Sequence, residues 1–449
     1  MPTFTRMKQT KKLGLFDLTM IVIGLVIGMG IFRTAKDAAA ASSSPQFYFL
    51  VWILGGFIAL CGALTYAEIG SRYPITGGYY KIFAVCYHPS IAFGINCIIL
   101  ISNAASLSGV ALIGSEYIAP LIFKDPSSFN EAMIAMSAII LFYGINLMGL
   151  RMSSKTQNVL MIIKITMVLV LIAAIFFPQL YNTNPQSVVV ASSNISASDL
   201  LMFGVALKAA SFTYGGYQQT INFGEEVENP QKNLPRGIIA GIFIIVALYL
   251  SVNYSYYKII GFNELKTTRG IAAIVTEKMF GESGKYIFSI LLFLAVLAYV
   301  NVLLLSNPRV MYAMSLDGIL PKAFKKKDEK RDVLTVSLTA FTAICVIVLF
   351  FADRFDQILS FTIFLDSIGM ATSAGAIFFL RKRTKHLDNT GIYKMKLYPV
   401  MPVLFILAYI FVGTVISITN PQYAITGTIV LAVFMLLYFI FHKKAKANV

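Results

Sequence analysis

Polar residues in this chain are gathered between long apolar runs instead of alternating with apolar ones. Runs of roughly 20 residues, the helix length that crosses a hydrocarbon core, lie near 14–35, 47–70, 91–119, 132–149, 157–177, 200–223, 237–261, 285–313, 333–352, 356–380, 397–418 and 422–441. This pattern predicts an all-α polytopic membrane protein with about twelve transmembrane helices. The first run follows a basic stretch, continues past signal-peptide length and shows no small-residue cleavage site, so it is expected to stay as a span.

Most runs are ordinary, like Val333 to Phe351. Two are not. The first contains Gly24-Leu25-Val26-Ile27-Gly28-Met29-Gly30-Ile31-Phe32, and the sixth Phe212-Thr213-Tyr214-Gly215-Gly216-Tyr217. Each glycine disfavours the helix by about 1 kcal/mol relative to alanine and admits backbone conformations that other residues avoid. Two readings follow. The small residues permit close helix packing, and Gly24 with Gly28 makes a GxxxG. Alternatively the helices break, which a membrane tolerates only where the freed N–H and C=O groups are buried in protein or line a watery cavity. Spans one and six correspond if spans 1–5 and 6–10 are two repeats, and paired interruptions point to a midplane binding site. At such a break, the half-helix that starts offers N–H groups to a carboxylate. The half-helix that ends offers C=O groups to an ammonium or a cation. A site with both suits the zwitterionic head of an amino acid.

Ionisable residues inside the runs are few. Lys164 interrupts the fifth, and an ammonium at the bilayer centre carries a penalty of about 2.5–3.5 kcal/mol, so it should face the interior with a partner. The alternative is a snorkelling lysine. Lys208 lies four residues before the second break, as a pocket group or a structural donor. Asp366 in span ten is placed to pair with either lysine or to cap a kink. Glu225, Glu226 and Glu228 stand beside Lys232 and Arg236 and read as a solvated loop.

Composition agrees with this picture. Of 449 residues 57% are hydrophobic and only 13% charged, against about 25% charged in soluble domains. The net charge of +16 is a topology signal. With the N-terminus in the cytoplasm, 26 of the 37 Lys and Arg residues fall on the cytoplasmic side, the positive-inside bias. No basic run is interleaved with stacking aromatics, which argues against nucleic acid. Cys61, Cys86, Cys97 and Cys345 read as small buried apolar residues, and His88, His386 and His442 are dispersed, so no metal site is expected. Nothing implies a cofactor. No paired carboxylates with His and no HExxH suggest an enzyme, and no GxxxxGK(S/T) suggests an ATP-driven pump.

The ordered motifs resemble the amino acid–polyamine–organocation superfamily, especially bacterial relatives of the L-amino acid transporters. Gly28-Met29-Gly30-Ile31-Phe32 is similar to its GxGIF. Tyr66-Ala67-Glu68-Ile69-Gly70-Ser71-Arg72-Tyr73-Pro74 with Thr76-Gly77-Gly78-Tyr79 is similar to YAE(L/I)GxxxPxxGGxY. Phe212 to Tyr217, Glu225-Glu226-Val227-Glu228-Asn229-Pro230 and Asn233-Leu234-Pro235-Arg236 resemble FAYxGW…EEVxNP…NLPR. Val300-Asn301, Arg309 and Asp317-Gly318-Ile319-Leu320-Pro321 complete a collinear match from about Gly14 to Arg381.

The resemblance implies a five-plus-five inverted-repeat, leucine-transporter-type fold, with repeats at 14–177 and 200–381 and two further helices at 397–441. It implies a substrate site on Val26, Ile27, Gly28, Met29, Gly30, Phe212, Thr213, Tyr214 and Gly215. Within it, the N–H groups of Met29 and Gly30 would take the carboxylate, and the carbonyls of Val26, Phe212 and Gly215 the ammonium. Phe212 would be the aromatic gate, and Lys164 would stand in for a sodium ion. Asn103, Ser106, Tyr217 and Asn301 would line the side-chain pocket. Animal members carry a subunit-bonding cysteine in the outer loop that here runs from Lys124 to Asn130. None is present, so no disulfide-linked partner is expected. The expected activity is sodium-independent transport of neutral L-amino acids across the cell membrane, by exchange, facilitated diffusion or proton symport, with both termini cytoplasmic. The alternatives are an amino-acid sensor of transporter fold and a carrier of cationic amino acids or polyamines.

Overall fold

The computed structural model describes residues 13–28, 30–182, 197–268, 270–351, 355–388 and 390–447. Among these, α-helices dominate and no strand forms beyond isolated bridges. The first half comprises α1 (Leu15–Val26), α2 (Gly30–Ala40), α3 (Pro45–Arg72), α4 (Gly78–Cys86), α5 (Pro89–Ile122), α6 (Ser128–Leu147) and α7 (Leu150–Ala173). The second comprises α8 (Ala197–Tyr214), α9 (Pro230–Ile260), α10 (Phe262–Leu265), α11 (Ile271–Leu316), α12 (Thr335–Phe351) and α13 (Phe355–Arg383). Then follow α14 (Val400–Thr419) and α15 (Pro421–Ala447).

Local chemistry sets many boundaries. Ser44 accepts from the Phe47 N–H at 3.2 Å ahead of Pro45, and Ser127 accepts from Asn130 at the same distance. These are N-caps, with proline where its missing N–H does no harm. Among the described residues, nine helices are long and apolar enough to span a membrane, and α1 with α2 makes a tenth as a pair bent by 43°. The other two expected spans fall on α12, which has 17 residues, and on α8, which carries Asp199 and Lys208.

The packing has a regular pattern. Helix α3 lies on α9, α5 on α11 and α6 on α12, while α1 lies on α9 and α8 on α3. Likewise α7 packs on α11 and α13 on α5. Several of these contacts come in pairs: α1 on α9 beside α8 on α3, and α7 on α11 beside α13 on α5. Helices α14 and α15 lie against α13, α3 and α5. Lipid-facing positions such as Ile140, Leu141, Ile290 and Leu436 are exposed, whereas α5 is almost wholly buried at the centre. All four cysteines are buried and free.

Candidate functional site

Helix α1 stops at Val26. Ile27 leaves the helical region (φ −72°, ψ 83°), with its N–H still on Ile23 at 2.8 Å, and the Gly28 N–H donates to the Val26 carbonyl at 2.7 Å. The chain re-enters a helix at Gly30; Met29, for which a carboxylate contact was expected, lies outside the described residues. Helix α8 stops at Tyr214. Gly216 adopts φ 114°, a left-handed value that favours glycine, and a 3₁₀ turn follows from Tyr217 to Asn222.

The two interruptions touch. A Cβ on Gly216 would lie 2.1 Å from the Leu25 carbonyl oxygen, so the second break rests directly on the end of α1. A Cβ on Gly30 would lie 2.9 Å from Thr213 Oγ1 and 3.1 Å from Thr213 Cα. Thr213 and Thr34 share a hydroxyl–hydroxyl bond of 2.6 Å, fastening α2 to α8. The start of α2 therefore lies against the last turn of α8. Both readings of the first glycine cluster hold at different residues: Gly24 packs against Gln157 and Met161 of α7, while Gly28 and Gly30 flank the break.

The Lys164 ammonium, fully buried on α7, donates to the Ile27 carbonyl. A cation there complements the negative end of α1. The Val26 carbonyl, expected to receive an ammonium, already accepts from Gly28 and from the Tyr249 hydroxyl at 3.1 Å. A carbonyl oxygen has two lone pairs, so in this conformation both are engaged. Phe212 is half-buried at the last turn of α8, and its carbonyl lies 3.3 Å from the Gly215 N–H. Tyr214 points away from the break, with its hydroxyl on the Trp52 carbonyl at 3.3 Å and its ring against Trp52 and Tyr249.

The four expected pocket residues separate. Ser106 meets the Tyr299 hydroxyl at 2.8 Å, and the Tyr299 ring lies against Gly28. One turn earlier on α5, Asn103 accepts from Gln219 at 2.9 Å and donates to Asn307 at 2.6 Å. These two sit beside the breaks. Asn301 does not. It accepts from Asn146 at 2.9 Å and donates to Ser153 and Gln157 at 3.1 and 2.9 Å, clamping α6, α7 and α11. Tyr217 turns toward α3 and α14, where Tyr66 packs edge-on against its ring. Tyr299 and Gln219 were missed; the signals available were the residue before Val300-Asn301 and the polar run directly after the second break.

Charges outside the core are more ordered than a solvated loop. Glu226 takes a bidentate bond from Arg309 at 2.8 and 2.9 Å, which corrects its reading as a loop residue; Glu225 and Glu228 are exposed. Glu226 and Arg309 border a cavity of about 560 Å³ that reaches Tyr73, Lys81, Lys327 and Asn146. Of the two readings offered for Asp366, a lysine partner or a kink cap, the first is not found: Ser102 donates to it at 2.6 Å, while Lys164 is on Ile27 and Lys208 lies 3.4 Å from Ser360.

Residues 13–441 match the family described as amino acid permease. The chain belongs to the amino acid permease family. It is 30% identical over 406 residues to the serine/threonine exchanger SteT of Bacillus subtilis, covering 90% of each chain. It is 24% identical over 408 residues to the human large neutral amino acids transporter small subunit 2, covering 89% of this chain and 75% of that one. The methylthioribose transporter of Bacillus subtilis is 30% identical over 334 residues, 70% of this chain and 69% of that protein. This permease is accordingly a multi-pass membrane transporter, not an enzyme, and its broken helices lie inside the family match.

Proposed function

We propose that this permease is a sodium-independent secondary carrier of neutral L-amino acids, working by alternating access in the cytoplasmic membrane with both termini inside. One observation carries the reading: the start of α2 and the end of α8 meet backbone to backbone. That supports a single site with N–H donors at Gly30 and carbonyl acceptors at Phe212 and Gly215, on either side of Ile27, Gly28, Thr213 and Tyr214. The half-buried Phe212 serves as the lid, and Ser106 and Asn103, with Tyr299 and Gln219, border the substrate side chain. A neutral side chain is favoured because Lys164 is the charged group nearest the first break and repels a cation. The names of the exchanger and of the large neutral amino acid transporter point the same way.

The Lys164 ammonium on Ile27 supplies the fixed positive charge that a sodium ion would otherwise bring to freed carbonyls, which supports sodium independence. The paired contacts α3–α9, α5–α11 and α6–α12 support two five-helix repeats, 14–177 and 200–381, with 397–441 appended. Buried cysteines support a carrier without a disulfide-linked subunit. The test is uptake of labelled serine, threonine, leucine and arginine into proteoliposomes, in sodium and in choline. Neutral substrates should enter equally in both. An absolute sodium requirement, uptake of arginine alone, or binding without flux would each refute the reading.

A further inference from the structure

Asp366 is the carboxylate the site leaves unused. It lies mid-way along α13, and Ser102 of α5 donates to its Oδ1 at 2.6 Å. Among the described residues no ion pair reaches it. The groups around it are phenols: Tyr79 of α4, Tyr299 of α11 and Tyr409 of α14 all lie close enough to feel its charge. Tyr66 of α3 joins them through Ser373, which Tyr79 also contacts at 2.8 Å. On α8 the nearest cation is Lys208, whose Nζ lies 3.4 Å from Ser360, about 9 Å along α13 from Asp366 at 1.5 Å per residue. Helix α15 brings Gly427 against neighbouring Phe364 and Leu365.

A carboxylate inside a membrane bundle without a paired cation is neutralised by a proton or by a cation held against it. A sodium ion takes oxygens from several sides, and here, among the described residues, Ser102 is the one side chain hydrogen-bonded to the carboxylate, presenting its proton. Asp366 is nevertheless only half-buried. It is also joined to the candidate site: Ser102 precedes Asn103, which holds Gln219, and Tyr299 covers Gly28. Lys164 is different, being fully buried and committed to Ile27.

We propose that Asp366 is the proton-binding group of this carrier, taking a proton from water on one side with substrate and releasing it to water on the other. The inference rests on the transport reading above. Lys164 is then a fixed bridge, and the phenols of Tyr79, Tyr299 and Tyr409 form the polar surroundings of the neutral carboxyl.

The experiment is proteoliposome transport with a pH-sensitive dye inside the vesicles. Wild-type protein given serine or threonine should acidify the lumen, and an inside-alkaline gradient should raise accumulation several-fold above equilibration. Asp366→Asn should show no substrate-dependent acidification and no accumulation above equilibration, while exchange of internal for external substrate continues. Asp366→Glu, which keeps a carboxyl, should retain acidification. Wild-type exchange without acidification overturns this proposal and leaves the transport reading intact. Acidification that survives in folded Asp366→Asn, or a variant defective only toward arginine or only in sodium, overturns it as well. Wild-type vesicles that move no amino acid sink both readings. The wild-type dye measurement needs no variant to fold.

Discussion

Replacing Gly216 with alanine tests the contact between the two breaks most directly. A side chain at φ 114° is strained by about 1–3 kcal/mol. The new Cβ would also stand 2.1 Å from the Leu25 carbonyl oxygen, where an ordinary contact is about 3.4–4 Å. Backbone must then move by more than an ångström, and such overpacking destabilises by about 1–3 kcal/mol. Together the penalty is about 2–6 kcal/mol, at least a thirtyfold change in any equilibrium that keeps the breaks together. Gly270 is the control, with φ 67° and nothing within 4 Å of a Cβ; alanine there should carry only the left-handed penalty, about 1–2 kcal/mol. Melting in detergent, followed by size exclusion, and uptake of several labelled amino acids would be measured side by side. Gly216→Ala should melt lower than Gly270→Ala and lose uptake of every substrate together. Equal effects of the two variants, or wild-type uptake by Gly216→Ala, would refute the argument that the end of α1 rests on the second break.

Gly30→Val places a branched side chain against Thr213 and should weaken all substrates alike, seen as parallel losses of affinity; a loss confined to one substrate would count against a shared head-group site. Phe212→Ala should weaken binding and slow occlusion in a protein that stays monodisperse, because an aromatic lid acts by buried area. Lys164→Met removes a charged hydrogen bond to Ile27 worth about 1.5–3 kcal/mol, and should depress uptake of all substrates without creating a sodium dependence. In the loop after α13, the Arg72 hydrogen bond and charge hold the Asp388 carboxyl below its usual range. Stability from that pair is present above the unfolded carboxylate value and is lost as pH falls through the lower folded one. Asp388→Asn should therefore melt lower than wild type at neutral pH, with the gap closing on acidification below about pH 4.

What the sequence made legible were features where a residue contradicts its surroundings. Glycines clustered in an apolar run marked both breaks, and a lone charge in the fifth run marked Lys164, because membranes penalise both unless something compensates. What could not be read was direction. Tyr217 follows the second break in sequence, yet its side chain leaves toward α3, since the 3₁₀ turn rotates successive residues by about 120°. Asn301 sits in a matching motif but faces α6 and α7. Glu226 looked solvated because it stands between Glu225 and Glu228, with Lys232 and Arg236 following, all four exposed; its partner Arg309 lies 83 residues away. The 2.1 Å clearance at Gly216 depends on how two distant segments cross, which no local pattern records.

Glu68 carries a consequence for how the chain can be divided. Its two carboxylate oxygens receive Arg72 of α3, Arg381 of α13 and the backbone N–H of Met395, at 2.7–2.9 Å, with no exposure to solvent. Ser71, three residues on, accepts from the Tyr393 N–H, and Phe405 of α14 fills the space beside Gly62. Cutting after α13 would strip one donor from a buried carboxylate and open a hole against α3. A ten-helix version is therefore a poor unit for grafting, and chimeras with relatives should place their junctions so that Glu68, Arg381 and Met395 come from the same parent.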